Sequence, residues 1–248
     1  MKFEDHFSTQ SGLYAQYRPK YPNAIYAYLA SIAPARSLVW DCGTGNGQAA
    51  VGLAQYFARV YATDASADQI ARAYPHEKVE YHVERAETVS LDSASVDLVT
   101  VAQAVHWFDL DDFYREVKRV LKPGGVLAVW TYQLPEVSPQ VDKALARYNY
   151  EVLADFWPPR IRHVQERYQA LPFPFEEMAP PSFAMEERWD LDQMAGFLDS
   201  WSGTQKYREK RGRHPLEEIW AELAGDWKNE KEKRLIRWQL HFRIGRNV

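Results

Sequence analysis

Only one cysteine, Cys42, occurs in the 248 residues, so neither an internal disulfide framework nor a cysteine-rich metal site can form, and no metal is expected. Cys42 itself reads as a small residue packed beside the turn that follows it. No segment approaches the ~20 consecutive apolar residues of a membrane span. At the start, Glu4, Asp5 and His6 stand where a secretory signal would need an apolar core. The expectation is a cytoplasmic protein with no membrane partner. Excess positive charge is also missing: a net charge of -4 and a pI near 6.0 give no global attraction to nucleic acid, which is not expected as a partner. There is no repeat of fixed period and no low-complexity tract. Oligomeric state stays open, because buried and exposed aromatics look alike in a sequence.

What is present in quantity is apolar residue, 46% of the chain, enough for a substantial core. The chain is organised around Val39 to Gln48, where an apolar run stops at Asp41 and opens into Gly43, Gly45 and Gly47. Ser37 to Trp40 reads as a buried strand and Gln48 to Phe57 as a helix, so the glycines lie at a strand-to-helix junction. Glycine permits positive φ and close backbone approach, and the helix start offers unpaired N–H groups. Such a junction binds ligands.

Ahead of it, Pro19 and Pro22 bracket a joint between two N-terminal helices, the second from about Asn23 to Ala33. Tyr17 and Arg18 sit at that joint, either as surface packing or closing over a ligand at the glycine turn. Beyond the turn, Arg59 to Thr63 is a second strand that ends at Asp64. Asp64 follows Asp41 by 23 residues, the distance that puts an acid at the tip of the adjacent parallel strand, within reach of a ribose diol. The competing role is a cap for a helix over Ala67 to Tyr74, a duty Ser66 can perform.

Val79 to Arg85 is a third strand and delivers Ala86 and Glu87 to the same edge. Ser95 to Ala102 is a fourth and releases the polar and aromatic cluster Gln103 to Asp109. A helix over Asp111 to Lys122, stopped at Pro123-Gly124-Gly125, precedes a fifth strand, Val126 to Thr131. Alternation of strands and helices implies right-handed crossovers and a parallel sheet with its strand C-termini on one edge. After Tyr132 come a helix over Val141 to Trp157, a short one over Arg162 to Ala170, a strand within Phe183 to Trp189, helices over Gln193 to Leu198 and Pro215 to Trp227, a charged run Lys228 to Arg234 read as a solvated helix face, and a last strand, Leu235 to Ile244. The expected organisation is a single domain over 1–248: cap helices 1–35, cofactor-binding core 36–132, helical lid insertion 133–182, and C-terminal strands and helices 183–248.

A nicotinamide dinucleotide needs G-x-G-x-x-G, whereas this turn reads Gly43-x-Gly45-x-Gly47 with an acid two positions ahead. A carboxylate at the strand tip suits a cofactor bearing an ammonium. With Asp64, Ala86-Glu87 and Leu121-Lys122-Pro123-Gly124-Gly125, these motifs resemble, in order, those of the class I S-adenosylmethionine-dependent methyltransferases. The match covers about residues 12 to 132. Tyr17-Arg18-Pro19-x-Tyr21-Pro22, Gln103-Ala104-x-His106-Trp107-Phe108-Asp109 and Trp201-Ser202 are similar to small-molecule enzymes related to trans-aconitate methyltransferase.

The resemblance implies an α/β, Rossmann-like seven-stranded sheet in the order 3-2-1-4-5-7-6, strand 7 antiparallel, with helices on both faces. It implies S-adenosyl-L-methionine as cofactor and S-adenosyl-L-homocysteine as product, with Asp41 and the backbone of Gly43, Thr44 and Gly45 beside the methionine moiety. Asp64 would hold the ribose, Ala65 would flank the adenine, Ala86 and Glu87 would reach its amino edge, and Gln103 would lie near the methionine. Arg18 joins this cofactor-binding set. Thr88-Val89 departs from the pattern, which commonly has a proline after that acid. Toward the acceptor, the candidate catalytic residues are His106, Trp107 and Tyr17. His106 is read as a base, an orienter or a structural residue. Trp107, Phe108, Trp130, Tyr17 and Trp201 could form an aromatic wall. Arg160, Arg162, Lys206, Arg208, Lys210, Arg211 and Arg213 either pair with an acidic substrate or face solvent. The expected activity is methyl transfer to a small-molecule acceptor, a carboxylic acid among the candidates. The alternatives are a non-catalytic protein of the same fold and a nicotinamide-dependent oxidoreductase.

Overall fold

The computed structural model describes residues 17–248. The expectations resting on residues 1–16, the charged start and most of the first cap helix, lie outside the described residues. Near-continuous apolar runs become the central strands β1 (Leu38–Cys42), β2 (Arg59–Asp64), β4 (Val96–Ala102) and β5 (Leu121–Tyr132). The more polar β3 (Val79–Val83) lies at the margin. All five are parallel: β1 sits between β2 and β4, β2 pairs with β3 and β4 with β5.

Side chains alternate across this sheet, as a two-residue period requires. Val39, Leu98, Val126, Ala128 and Trp130 join one core together with Ile25 and Leu29 of α1 (Asn23–Ile32) and Leu53 of α2 (Gln48–Leu53). Trp40, Val99, Val101, Leu127 and Val129 join the other with Phe113 and Val117. Those two belong to α4 (Leu110–Val120), which follows the short α3 (Ala67–Ala71) and has acids in its first turn and bases in its last, matching the helix dipole. At the N-terminal edge the buried Asp97 carboxylate accepts from the backbone N–H of Ser37 (2.8 Å) and Leu38 (3.0 Å) and meets Lys122 Nζ at 2.6 Å, fixing where β1 begins.

The far flank is built on β8 (Arg234–Arg246), antiparallel to β5. Its outer side carries β6 (Glu176–Met178) against its end and β7 (Ala184–Trp189) against its beginning. The order β3-β2-β1-β4-β5-β8-β6, with β7 on β8, reproduces the expected sheet and its antiparallel strand, the sixth position being shared by two short segments. β6 was not expected, because Glu176 and Glu177 are exposed and only the backbone ladder identifies the strand.

Between β5 and β6 the chain departs from expectation. A continuous helix over Val141 to Trp157 is not formed. Instead α5 (Pro139–Arg147) widens into a π-helical turn, Tyr148–Val152, and a 3-10 turn, Ala154–Phe156. The wide turn buries Tyr148, whose hydroxyl meets that of Thr204 at 2.8 Å, and exposes the Asn149 carbonyl to the Trp157 indole N–H at 3.2 Å. The next helix shrinks to α6 (Arg162–Gln165). After α7 (Leu191–Asp199), held by the Asp190 capping box, Trp201 leads into an unexpected helix α8 (Ser202–Arg211), which buries only a narrow face at Gly203, Thr204 and Tyr207. Pro215 to Trp227 divides into a 3-10 turn and α9 (Trp220–Trp227). The charged run Lys228 to Arg234 is not helical: Lys228 takes φ +61°, ending α9, and Trp227 Nε1 donates back to the Glu232 carbonyl at 3.0 Å.

Candidate active site

The glycine turn leaves β1 with Gly43, Gly45 and Gly47 all at positive φ. A Cβ on Gly43 would stand 2.6 Å from Ala104 Cβ, and one on Gly47 would strike the Tyr81 hydroxyl at 2.2 Å, so both positions exclude a side chain. Gly45 differs. Nothing comes nearer to its missing Cβ than Gln69 Oε1 at 3.9 Å, so this part of the turn presents open backbone.

Asp41 lies beneath the turn, 1% exposed. Its two oxygens accept hydrogen bonds from Thr44 Oγ1 (2.6 Å) and Thr100 Oγ1 (2.7 Å). Burial pushes its carboxyl up to about 6, the two hydroxyls opposing that rise and Asp64 adding to it. Thr44, the middle of the turn, also donates its backbone N–H to the Thr63 carbonyl at 2.9 Å. Asp41 and Thr44 thus brace the turn from below. Cys42 is buried beside it, as expected.

Asp64 reaches the turn from the tip of β2. Oδ2 accepts from the Gly45 N–H and Oδ1 from the Ser66 N–H, both at 2.9 Å. Ser66 Oγ accepts from the Gln69 N–H at 3.3 Å, so capping of α3 belongs to Ser66. Ala65 follows, half-buried, between the two. From β3 arrive the buried Ala86 and the half-buried Glu87, whose Oε1 accepts from the Asp109 N–H at 2.9 Å and whose Oε2 pairs with Arg85 at 3.1 Å. The ends of β1, β2 and β3 therefore lie on one edge, with Asp64 and Glu87 carboxylates accepting backbone N–H groups there.

At the exit of β4, Gln103 takes φ +56°, a rare conformation for a residue with a side chain. Its Nε2 donates to the Tyr132 carbonyl at 3.1 Å and its Oε1 accepts from Thr131 Oγ1 at 2.5 Å. The one-turn segment Val105–Trp107 then presents His106, whose Nδ1 lies 2.8 Å from the Tyr168 hydroxyl. Burial, with His163 and Arg160 nearby, lowers its pKa to about 3, so the ring is neutral at ordinary pH. Gln103, His106 and Trp107 form one side of a cavity of about 150 Å³. The remaining walls include Arg18, Tyr132 and Gln133, then Asn149, Tyr150, Trp157 and Ile161 from the segment between β5 and β6, and Phe197, Ser200 and Trp201.

Not every candidate reaches this cavity. Gln48 staples the Pro19 to Tyr21 joint to the end of the glycine turn, accepting from the Tyr21 N–H (3.1 Å) and donating to the Pro19 carbonyl (3.3 Å). From that joint Arg18 reaches the cavity wall, donating to the Tyr132 hydroxyl at 2.9 Å and lying 5.5 Å above the Phe197 ring. Tyr17 packs against Gly196 instead. Of the proposed aromatic wall, Trp107 and Trp201 take part; Trp130 is fully buried in the core and Phe108 lies against Gly43 and Phe113. Arg160 donates to the carbonyls of Trp107 (2.5 Å) and Phe108 (3.3 Å), fixing the His106 segment. Arg208 pairs with Asp199, Arg213 with Glu218, and Lys210 and Arg211 lie over Phe156. Thr100, Thr131, Tyr132 and Tyr168 carry no motif, and their parts in the site emerge only from the folded register.

The parallel sheet, the open glycine turn at its C-terminal edge and an acid at the tip of the neighbouring strand define a nucleoside-binding α/β protein of the Rossmann-like kind. The model of a methyltransferase domain matches residues 40–129, the strands and turns just described. A Dictyostelium discoideum protein classed with the methyltransferases is 35% identical over 240 residues, 95% of this chain and 91% of that one. A solved Anaeromyxobacter dehalogenans structure, classed as a type II methyltransferase, is 44% identical and superposes with a TM-score of 0.87 over 93% of this chain and 98% of that one. An uncharacterised methyltransferase of Mycobacterium tuberculosis is 38% identical over 127 residues, about half of each chain. This chain belongs to the S-adenosylmethionine-dependent methyltransferases of class I. The nicotinamide alternative falls with that assignment. Among the described residues no helix is long and apolar enough to cross a membrane.

Proposed function

We propose that this protein transfers the methyl group of S-adenosylmethionine to a small organic acceptor seated in the cavity beside His106 and Trp107. The observation that carries the reading is the junction after β4, where Gln103 lines the cavity and the next residue, Ala104, stands against Gly43 of the glycine turn. The residues present fit the cofactor. Gly45 offers open backbone, Asp64 at the strand tip suits ribose hydroxyls, Ala86 and Glu87 after β3 suit an adenine edge, and the Asp41 charge beneath the turn suits an ammonium. When bound, the cofactor supplies a methyl group on a sulfonium, whose C–S bonding pair returns to sulfur as the acceptor forms its new bond to carbon.

The protein's work is alignment and exclusion of water. Holding the acceptor at near-attack distance can contribute up to ~7 to 11 kcal/mol without a covalent intermediate. Trp107, Trp157 and Trp201 give the cavity flat apolar walls, and Gln103, held by bonds to Tyr132 and Thr131, fixes one rim. Among the described residues that line the cavity, Arg18 is cationic and none is a carboxylate, which supports an acceptor carrying an acidic group such as a carboxylate. We assign the protein to the cytoplasm, with a small molecule, not nucleic acid or membrane, as its partner.

The test is a radiolabelled methyl-transfer screen over small carboxylic acids, phenols and amines. Transfer that falls at least about tenfold in kcat/KM in Trp107→Ala, with cofactor affinity retained, is the expected result. Preference for a macromolecular acceptor would sink the proposal.

A further inference from the structure

Asn149 belongs to no motif, yet the fold buries it to 8% exposure where it lines the cavity with His106 and Trp107. Among the described residues its side-chain amide has no hydrogen-bond partner, and neither amide atom is sealed inside the packing, so the open side of the group is the cavity. Other polar groups of the wall are committed. Gln103 uses both ends of its amide on Tyr132 and Thr131, and Gln133 donates to the Gln165 carbonyl at 2.5 Å while accepting from Arg167 Nε at 3.1 Å. Ser200 gives its proton to the Phe197 carbonyl at 2.6 Å. Gln165 is half-buried and meets water.

The π-helical turn sets the amide in this position. It closes with the Leu153 N–H on the Tyr148 carbonyl at 3.0 Å, an arrangement found mostly as single turns and frequently at functional sites. Tyr148 is anchored through its hydroxyl on Thr204, and the Asn149 carbonyl holds the Trp157 indole. Trp157 lies 5.8 Å from Trp201, whose ring is 5.8 Å from that of Tyr148. Asn149 is thereby fixed within an aromatic group that walls the cavity. Burying an amide without a partner costs stability, and leucine, with the same branched shape, would fill the position without that cost. A ligand that bonds the amide explains why an amide stands there.

We propose that Asn149 is a specificity-determining residue of the acceptor site: its amide hydrogen-bonds an oxygen substituent on a one-ring acceptor, so that the cavity selects a hydroxylated ring over the bare one. The inference rests on the reading that this cavity seats the acceptor. A cavity of about 150 Å³ is the size that holds a single six-membered ring, and Trp157 and Trp201 supply flat walls for it. A primary amide both donates and accepts, which matches a hydroxyl. When a ring fills the cavity water leaves, and a ring without a polar substituent leaves the amide dry and unbonded. Discrimination built in this way is sharper than an apolar pocket achieves, because the wrong ligand is penalised as well as the right one favoured. Asn149 has no step in the methyl transfer itself.

Calorimetry on protein saturated with S-adenosylhomocysteine decides the matter without any transfer. The probes are benzoate and the three isomeric monohydroxybenzoates, acids chosen because Arg18 lines the cavity. The parent protein is expected to bind at least one hydroxybenzoate at least about tenfold tighter than benzoate. Asn149→Leu should bring that ratio to within about twofold, by weakening the hydroxybenzoate and not benzoate. Should that variant fail to fold, Asn149→Ala must erase the ratio instead. A parent without the preference, absence of binding included, or variants that keep it, would overturn the inference. Ile161→Trp, which crowds the same cavity, separates this inference from the reading it rests on. If it weakens the acids while the Asn149 variants keep the preference, the cavity reading stands and the role of Asn149 falls. If it leaves hydroxybenzoate binding unmoved, the acids bind outside the cavity and both fall.

Discussion

The two sides of the site are made differently. On the glycine-turn side, the ends of β1, β2 and β3 meet, and carboxylates of Asp64 and Glu87 accept backbone N–H groups at 2.9 Å. On the cavity side, a neutral histidine, aromatic rings and amides are supplied by a π-helical turn, short helices and a strained loop. Strand tips fix backbone direction, so one side can hold an invariant ligand with few side chains. The other side draws its shape from side chains in irregular segments, which can change without disturbing the sheet.

The contrast extends to protons and sets the largest expected effects. His106, held down at about 3 against an ordinary 6.5, contributes stability that is fully present above pH 6.5 and lost as pH falls toward 3, by about 5 kcal/mol in all. Asp41, raised to about 6 from 3.8, has the opposite sign: its contribution is fully present below 3.8 and lost as pH rises through 6, by about 3 kcal/mol. Urea unfolding across pH 3 to 7 should show the two partly cancelling between 4 and 6. His106→Gln should remove the acid-side loss, and Asp41→Asn should steepen the rise of stability with pH in the shared window. Identical slopes in both variants would erase the distinction.

Steric tests come next. Gly43→Ala sets a Cβ 2.6 Å from that of Ala104 on a backbone at φ +67°, and should cost about 2 to 3 kcal/mol, visible as a lowered Tm. Gly45→Ala meets no such neighbour. It should cost about 1 kcal/mol in stability while weakening cofactor binding disproportionately. A stability loss in Gly45→Ala equal to that in Gly43→Ala would mean that the turn is closed throughout. The smallest effects belong to the outer arginines. Arg208→Ala and Arg213→Ala break exposed pairs with Asp199 and Glu218, and should leave Tm nearly unchanged and shift KM by less than about twofold.

The same division decides what the sequence discloses. Asp41, the alternating glycines, Asp64 and Glu87 are recognisable because each sits at a fixed distance from a strand end, and strands announce themselves by apolar period. The segment between β5 and β6 hides for the converse reason. Nothing in Tyr148 to Val152 distinguishes a π turn from a helix, since the difference lies in burying Tyr148 against Thr204, 56 residues away. Tyr168 is silent because its partner His106 is 62 residues distant and its backbone is held by Arg243 of β8. Arg160 reads as a solvated surface residue or a partner for an acidic substrate until Trp107 and Phe108 turn their carbonyls toward it.

One titration tests the division directly. S-adenosylhomocysteine is titrated by calorimetry into the parent protein, into Asp64→Ala, which deletes both strand-tip acceptors, and into Ile161→Trp, which crowds the cavity wall. The account predicts binding at least about tenfold weaker in Asp64→Ala and within about twofold of the parent in Ile161→Trp. Equal weakening in both, or full affinity in Asp64→Ala, would contradict it.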